Sequence, residues 1–234
     1  MSGLVAENLT VAYGETVICH GCSLAVDAGE ISVIVGPNGA GKSTAMKAIF
    51  GLVELIRGRV MLGDRDISRM AAQDRVALGM AFVPQVNNIF PSLTVEENLE
   101  MGAYRNPAGF TEALGVTYDM FPALSELRST LAGNLSGGQR QQVAVGRAMM
   151  TRPRFLLLDE PTAGVSPIVM DTLFAMIVEI ARTGVAILLC EQNARRALEI
   201  ANRGYVLVQG RNRYEDTGKR LLANPDVRKS FLGG

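Results

Sequence analysis

The hydrophobic residues of this chain follow two different patterns. Leu4–Tyr13 and residues 17–26 alternate apolar and polar positions with a period of two around Gly14 and Glu15, which predicts an antiparallel strand pair. Four other segments are short continuous apolar runs, which are typical of strands covered on both faces: Ile31–Val35 and residues 81–83, 155–158 and 185–190. The pattern therefore predicts an N-terminal antiparallel subdomain beside a second, more deeply buried sheet.

Helical patterns separate the apolar runs. They predict helices over residues 42–51, 71–78 and 169–181, and a helix-rich segment from about residue 86 to 150 that is punctuated by prolines. Thr94 and Glu97 have the spacing of a capping box. A short strand at 59–62, a hairpin of 204–208 with 211–214 and a short helical tail complete the prediction. Because strands alternate with helices, we expect an α/β fold with a mostly parallel sheet, in which residues 1–234 form one domain and 86–150 an inserted helical subdomain.

A glycine-rich segment directly follows the run Ile31–Val35. It has the form G-x-x-x-x-G-K-[ST] and lies between a predicted buried strand and a predicted helix, as a phosphate-binding loop does. Its glycines let successive backbone N–H groups point inward and form an anion-binding nest. The positive end of the helix dipole adds to the attraction for a phosphate. The predicted phosphate-binding residues are Gly36, Pro37, Asn38, Gly39, Ala40, Gly41, Lys42, Ser43 and Thr44. Lys42 is expected to reach the β- and γ-phosphates of a bound nucleotide, and the Ser43 hydroxyl is expected to ligate Mg²⁺.

Two carboxylates end the apolar run at residues 155–158. A strand end beside the phosphate loop suits a magnesium-directed carboxylate, so Asp159 is predicted to take that role. Glu160 is then placed to orient or deprotonate the water that attacks the γ-phosphate. Pro161 ends the strand and fixes both carboxylates at its mouth.

A second anion nest is predicted at residues 135–139, where paired glycines follow Ser136 at the start of a helix over 140–150. Either the chain binds two phosphates itself, or this second nest serves the nucleotide of a partner. The residues alone leave both alternatives open.

The composition of the chain limits the classes of partner and the cellular compartment that we expect. Lys plus Arg and Asp plus Glu both number 23, and zero net charge disfavours a nucleic-acid partner. Three cysteines without a disulfide framework suit a reducing compartment, and Cys19 and Cys22 are predicted to be packing thiols on opposite faces of a strand rather than a zinc or redox pair. The N-terminus does not resemble a secretion signal, so we expect a cytoplasmic protein.

At this point the motifs resemble those of the ATP-binding-cassette ATPases, over essentially the whole chain. The resemblance implies that Tyr13 stacks on adenine, and that Gln85 reaches Mg²⁺ and the attacking water. It implies that Ser136, Gly137 and Gly138, with Gln139 in the same signature motif, contact a γ-phosphate held by the opposite subunit. ATP would then join two subunits head to tail, and hydrolysis would move attached integral membrane permease subunits.

Two positions depart from the family pattern. Gln192 stands where the family usually has a histidine, and Ser166 where it usually has an aspartate. Glutamine can hydrogen-bond the γ-phosphate but cannot carry charge or shuttle a proton. We therefore expect an asymmetric pair with a histidine-bearing paralogous ATPase subunit, although a homodimer in isolation remains an alternative.

The chain further resembles the second ATPase subunit of bacterial branched-chain amino-acid importers, through residues 191–194, 204–207, 223–225 and 231–234. This resemblance implies a peripheral position on the inner face of the cell membrane, and an indirect link to an extracytoplasmic solute-binding protein. The alternatives are a subunit for urea, short amides or another solute, an exporter of lipid or polysaccharide, and a non-transport cassette ATPase in translation or DNA repair. A binding-only regulatory subunit is a further alternative.

Overall fold

Two β-sheets form the framework of the computed structural model, which describes residues 3–231. The strands are β1 (Leu4–Tyr13), β2 (Thr16–Val26), β3 (Ile31–Val35), β4 (Leu55–Leu62), β5 (Arg65–Asp66), β6 (Met80–Val83), β7 (Phe155–Asp159), β8 (Ala186–Cys190), β9 (Arg203–Val208) and β10 (Arg211–Asp216). One sheet has the order β2-β1-β4-β5 and is antiparallel. The other has the order β10-β9-β3-β8-β7-β6 and is parallel except for β10, which pairs antiparallel with β9.

Helices fill the connections. They are α1 (Lys42–Phe50), α2 (Ala72–Ala77), α3 (Val95–Gly102), α4 (Phe110–Met120), α5 (Pro122–Glu126), α6 (Gly137–Met149), α7 (Pro167–Arg182), α8 (Ala194–Ile200), α9 (Gly218–Ala223) and α10 (Pro225–Phe231), with single 3₁₀ turns at Pro107–Gly109 and Ala132–Asn134. Helices α3 to α6 lie between β6 and β7, and α3 begins with the predicted capping box of Thr94 and Glu97. The predicted fold class is confirmed: a mostly parallel α/β core carries an antiparallel N-terminal sheet and a helical insertion. No helix of residues 3–231 has the length and apolar character needed to cross a bilayer.

The continuous apolar runs are explained by two hydrophobic clusters on opposite faces of the parallel sheet. Along β3, Val33 and Val35 belong to the cluster that includes α6, α7 and the helical insertion. Ile34 belongs to the other cluster, which lies with α1 and the antiparallel sheet. Since both faces of β3 are buried, every residue of this strand is apolar except Ser32, whose hydroxyl donates to the Ala25 carbonyl at 2.6 Å.

Several predicted boundaries were wrong. β4 begins at Leu55 rather than at residue 59, because Leu55, Arg57 and Arg59 pair with β1 although this segment carries no apolar alternation. Helix α6 begins at Gly137 rather than at 140, because Ser136 caps it through the Gln139 N–H. Helix α7 begins at Pro167, a residue whose missing N–H is tolerated in a first helical turn. Helix α8 was not predicted.

The expectation that Cys19 and Cys22 face opposite sides of a strand was also wrong. Leu9 pairs with Cys22 and Thr10 with His20, so Gly21 is an extra residue in β2. Gly21 has a φ of 87°, a conformation that favours glycine, and the resulting bulge returns the next side chain to the same face. Both thiols are therefore fully buried in one cluster, and Cys190 is buried with them.

A buried arginine holds the C-terminal end of α1. Arg75, on α2, is 1% exposed, and its guanidinium donates to the carbonyls of Ala48, Ile49, Met70 and Ser68 at 2.6 to 3.2 Å. The last carbonyls of a helix have no partner within the helix, and here a cation satisfies two of them. Arg75 thus joins the helix that starts at the phosphate loop to the segment that precedes β6.

Replacing Arg75 with methionine keeps most of the side-chain volume but removes the guanidinium donor from four carbonyl groups, of which Ala48 keeps a hydrogen bond from the Gly51 N–H. We expect the free energy of unfolding to fall by about 3 kcal/mol or more. Urea denaturation monitored by circular dichroism measures this change in the free energy of unfolding. The matched change at the exposed Arg69 is expected to cost less than about 0.5 kcal/mol, and equal losses in the two variants would contradict this account of Arg75.

Candidate nucleotide-binding and active site

The glycine-rich loop turns sharply from β3 into α1. Gly36, Gly39 and Gly41 have φ values of 151°, 78° and 94°, so the loop needs conformations that side chains disfavour. Lys42 is the first residue of α1 and is 4% exposed. Its ammonium donates to the Gly36 carbonyl at 3.1 Å and to the Pro37 carbonyl at 3.4 Å, and its Nζ lies 3.5 Å from Glu160 Oε1. The loop therefore wraps around its own lysine and presents that cation toward β7.

The end of β7 meets the start of α1 through a direct hydrogen bond. The Ser43 hydroxyl donates to Asp159 Oδ1 at 2.7 Å, and Asp159 is 3% exposed. A hydroxyl and a carboxylate this close are hard oxygen donors of the kind that Mg²⁺ takes alongside phosphate oxygens. The residues present thus fit the predicted metal position.

Glu160 has a strained backbone and a side chain that faces the loop. Its φ is 48°, and its N–H donates to the Cys190 carbonyl at 3.0 Å, which fixes the residue against the end of β8. The carboxylate is 12% exposed and accepts from Gln85 Nε2 at 2.9 Å. The phosphate loop follows β3, Gln85 follows β6 and Glu160 follows β7. The ends of these three strands therefore deliver polar groups to one edge of the sheet.

A cavity of about 510 Å³ collects most of the predicted site residues. Tyr13 and Gln192 lie at its wall together with the loop and Glu160, and Tyr13 is 50% exposed, which leaves its ring face open. Ile18 also contributes to the wall and was not predicted, because it reads as an ordinary strand residue. The lining residues are Tyr13, Ile18, Asn38, Gly39, Ala40, Gly41, Lys42, Ser43, Thr44, Gln85, Glu160 and Gln192.

Ser136 to Gln139 lie outside this cavity, at the N-terminus of α6. The Ser136 hydroxyl accepts from the Gln139 N–H at 3.3 Å, and Gln139 Oε1 accepts from the Ser136 N–H at 2.9 Å. A Cβ at Gly138 would lie 2.2 Å from Val169 Cγ1, so packing against α7 already requires glycine there. A Cβ at Gly137 would meet only Val165, at 3.9 Å, which leaves that position open.

Glu191 is a buried carboxyl that sequence reasoning did not single out. It follows β8 directly and is 1% exposed, and its carboxyl accepts from the N–H and the hydroxyl of Thr162. Burial raises the pKa of the Glu191 carboxyl to about 7, and the hydrogen bonds from Thr162 and the Gln192 N–H oppose that rise. The available signal was a charged residue placed immediately after a continuous apolar run.

A phosphate loop after one buried parallel strand and paired carboxylates at the end of another define a P-loop nucleotide hydrolase. Residues 19–163 match the family model described as ABC transporter. The chain belongs to this family: it is an ATP-binding subunit of an ABC transporter and an ATPase. ATPase subunits of such transporters work with membrane permease subunits.

Similar proteins cover nearly the whole chain. The high-affinity branched-chain amino acid transport ATP-binding protein BraG of Pseudomonas aeruginosa is 38% identical over 97% of this chain and 98% of its own length. The probable branched-chain amino acid transport ATP-binding protein LivF of Archaeoglobus fulgidus is 38% identical over 96% of each chain. The lipopolysaccharide export system ATP-binding protein LptB of Haemophilus influenzae is 34% identical over 100% of this chain and 98% of its own.

Solved structures agree with this assignment. The ADP conformation of MJ1267, an ATP-binding cassette of an ABC transporter, has a TM-score of 0.87 and 30% identity and covers 100% of both chains. The resemblance to cassette ATPases, and to ATP-binding subunits of branched-chain amino-acid importers, is therefore confirmed. Of the residues that suggested the subfamily, 232–234 lie outside the described part of the chain.

Two substitutions should separate binding from turnover. Glu160→Gln keeps the shape of the side chain but removes the carboxylate, so we expect ATP affinity within about threefold of wild type and turnover reduced at least about a hundredfold. Lys42→Ala removes the loop's cation and is expected to weaken ATP binding itself, by about tenfold or more. Equilibrium binding of a fluorescent ATP analogue and phosphate-release assays measure the two effects, and retained turnover in Glu160→Gln would remove Glu160 from this role.

The raised pKa of Glu191 predicts how stability depends on pH. The folded state binds the proton of the Glu191 carboxyl more tightly than the unfolded state does. The free energy of unfolding therefore falls as pH rises toward and through about 7. Between about pH 5.5 and about pH 8 the loss from this group is about 2 kcal/mol, and Glu191→Gln should remove it because an amide does not titrate. Urea denaturation at both pH values measures the difference. Glu126→Gln, at an exposed position on α5, is the control, and an unchanged pH dependence in Glu191→Gln would contradict the prediction.

Proposed function

We propose that this chain hydrolyses ATP to drive the import of branched-chain amino acids through a membrane permease. The observation that carries this proposal is the 38% identity, over nearly full length, to two proteins named for branched-chain amino-acid transport. Gln192 at the wall of the nucleotide cavity supports it, since the glutamine belongs to the sequence pattern of that subfamily. Urea and short amides remain alternative solutes, because none of these residues would contact the solute.

Lipopolysaccharide export is a second candidate. The observation in its favour is the 34% identity to a subunit named for that system, only slightly below the identity to BraG. Gln192 and the C-terminal residues favour import over export. A non-transport cassette ATPase in translation or DNA repair is disfavoured by the neutral charge of the chain.

For hydrolysis we assign the following roles. Lys42 and the N–H groups of Gly36 to Thr44 bind the phosphates, and Tyr13 stacks on the adenine through its open ring face. Ser43, Asp159 and Gln85 hold Mg²⁺, which neutralises charge on the phosphate oxygens when bound. Glu160 orients or deprotonates the attacking water, and Gln192 donates a hydrogen bond to the γ-phosphate.

The contact between Lys42 and Glu160 supports this division of roles. Both groups are mostly buried, and phosphate oxygens are stronger partners for an ammonium than the carbonyls of Gly36 and Pro37. Phosphate binding therefore draws Lys42 toward the nucleotide and frees Glu160 for water, with Gln85 still within hydrogen-bonding distance of the carboxylate.

We further propose that the turn at Ser136, Gly137 and Gly138, with Gln139, completes the nucleotide site of an opposing subunit. These residues lie outside the chain's own cavity, and the open space at Gly137 permits close approach of a phosphate. Because Gln192 and Ser166 lack the ionisable groups usual at their positions, we propose an asymmetric pair with a histidine-bearing paralogue. Residues 1–234 act as a single cytoplasmic domain, peripheral on the inner face of the membrane and linked through the permease to an extracytoplasmic solute-binding protein.

The transporter complex tests the proposed function. After detergent extraction and affinity purification through a tag on this chain, we expect permease subunits and a paralogous ATPase to copurify. Reconstituted into proteoliposomes with its solute-binding protein, the complex should take up radiolabelled leucine, isoleucine or valine only with ATP, and Glu160→Gln should abolish uptake. The complex should also hydrolyse ATP faster per subunit than this chain alone.

Different outcomes select the alternatives. Uptake of urea or short amides instead would keep the importer and replace its solute. Copurification with lipopolysaccharide-binding membrane subunits would select export, and copurification with ribosomes would overturn a transport role. Equal hydrolysis rates for the chain alone and for the complex would contradict the asymmetric pair.

A further inference from the structure

Two loops at the edge of the parallel sheet carry the groups proposed to meet the γ-phosphate. The loop after β7 contains Glu160, and the loop after β8 contains Gln192. These two strands are hydrogen-bonded neighbours, and Asp159 pairs with Cys190 as their last residues. The strand ladder therefore stops one residue before Glu160 and two residues before Gln192, and other contacts must set the geometry beyond it.

The backbone N–H groups of the segment 160–162 are satisfied by the last residue of β8 and the residue that follows it. The Glu160 N–H donates to the Cys190 carbonyl at 3.0 Å, and Pro161 has no N–H. The Thr162 N–H donates to Glu191 Oε1 at 3.1 Å. A side-chain carboxyl thus continues the pairing that the strand backbones end, and it fixes the residue two positions beyond Glu160.

The same carboxyl also fixes the loop that carries Gln192. Glu191 Oε2 accepts from the Gln192 N–H at 3.2 Å, and the Thr162 hydroxyl lies 2.8 Å from Oε1 and 2.9 Å from Oε2. The Glu191 N–H in turn donates to the Ile34 carbonyl at 3.1 Å, on the strand that leads into the phosphate loop. One side chain therefore connects the β7 loop and the β8 loop, and its backbone connects both to β3.

Stability alone is a poor explanation for this carboxyl. Glu191 is 1% exposed, Thr162 is 4% exposed, and no ion pair of Glu191 is found among residues 3–231. Burial raises the pKa of the Glu191 carboxyl, and the like charge of Glu160 adds to that rise. A buried carboxyl without a cation costs free energy that an apolar pair of the same volume would not. What the carboxyl supplies is geometry, because it can accept hydrogen bonds from two loops at once and an apolar side chain cannot.

We propose that Glu191 and Thr162 are positioning residues for ATP hydrolysis, which hold Glu160 and Gln192 in a fixed relation to each other. Neither residue lines the nucleotide cavity, so their effect should fall on the hydrolysis step rather than on ATP affinity. The inference concerns the ATPase activity that family membership establishes, and it does not depend on the transported solute.

The test compares isosteric and conservative changes at Thr162. Thr162→Val removes the hydroxyl at constant volume, and we expect kcat to fall about tenfold to a hundredfold while the Kd for ATP stays within about twofold, since small displacements of reacting groups cost that much. Thr162→Ser keeps the hydroxyl and should restore kcat to within about threefold of wild type. Glu191→Gln should behave like Thr162→Val. An amide has only one oxygen acceptor, so it cannot replace both Oε1, which accepts from Thr162, and Oε2, which accepts from the Gln192 N–H.

Steady-state hydrolysis by the full-length chain measures kcat, and single-turnover hydrolysis, with enzyme in excess over Mg-ATP, shows whether the chemical step accounts for its change. Fluorescence titration measures the Kd. Thermal melts confirm that each variant is folded at the assay temperature, and Thr172→Val, at an exposed threonine of α7, is the matched control. Because this assay uses neither permease nor solute, a failed transport proposal leaves its result unaffected.

Three results would overturn the proposal. They are kcat within threefold of wild type in both Thr162→Val and Glu191→Gln, an equal loss in Thr162→Ser and Thr162→Val, or a loss that appears in ATP affinity and not in kcat. If Glu191→Gln does not fold, the contrast between serine and valine at position 162 decides alone, because both changes are small and leave the carboxyl in place.

Discussion

The contact between the phosphate loop and the end of β7 is the interaction on which the site depends. Ser43 donates to Asp159 at 2.7 Å, and Lys42 lies 3.5 Å from Glu160, although more than a hundred residues separate the partners in sequence. This proximity requires the strand order β3-β8-β7 with all three strands parallel, so that their carboxyl ends reach one edge. Burial of both faces of that sheet explains why these strands are almost continuously apolar, and Asp159 stands at the end of β7, where the phosphate loop meets it.

Local chemistry predicted much of this arrangement. The period-two alternation and the continuous apolar runs predicted the fold class, and the glycine-rich motif predicted the phosphate loop, because each reports an environment that neighbouring residues share. The wall residues Tyr13, Gln85 and Gln192 were predicted from the family resemblance. The bulge at Gly21 and the start of β4 were missed because a distant strand determines them. Arg75 and Glu191 were missed for a related reason: a buried charged residue is identified by the carbonyl or N–H groups that surround it, and those belong to other parts of the chain.

The residues at the N-terminus of α6 show why a motif does not by itself reveal its ligand. Ser136 and Gln139 satisfy each other's backbone as a helix cap, and packing against Val169 excludes a side chain at Gly138. Both features would be required in any well-packed helix of this kind. Only Gly137, where nothing crowds a Cβ within the chain, remains without an intramolecular reason. The case for an opposing nucleotide therefore depends on this glycine and on the family, rather than on the helix cap.

Replacement of an ionisable group by Gln192 changes what the rest of the site must provide. The Gln192 amide is neutral at every physiological pH, so the strength of its hydrogen bond depends on distance and angle rather than on protonation. A neutral hydrogen-bond donor is effective only when it is held in place before the reaction, because reorienting its dipole during the chemical step costs free energy. The buried carboxyl of Glu191 accepts directly from the Gln192 backbone N–H, and it costs stability where it lies. The role proposed for Gln192 as a neutral donor thus gives the chain a physical reason to retain a buried carboxyl immediately beside it.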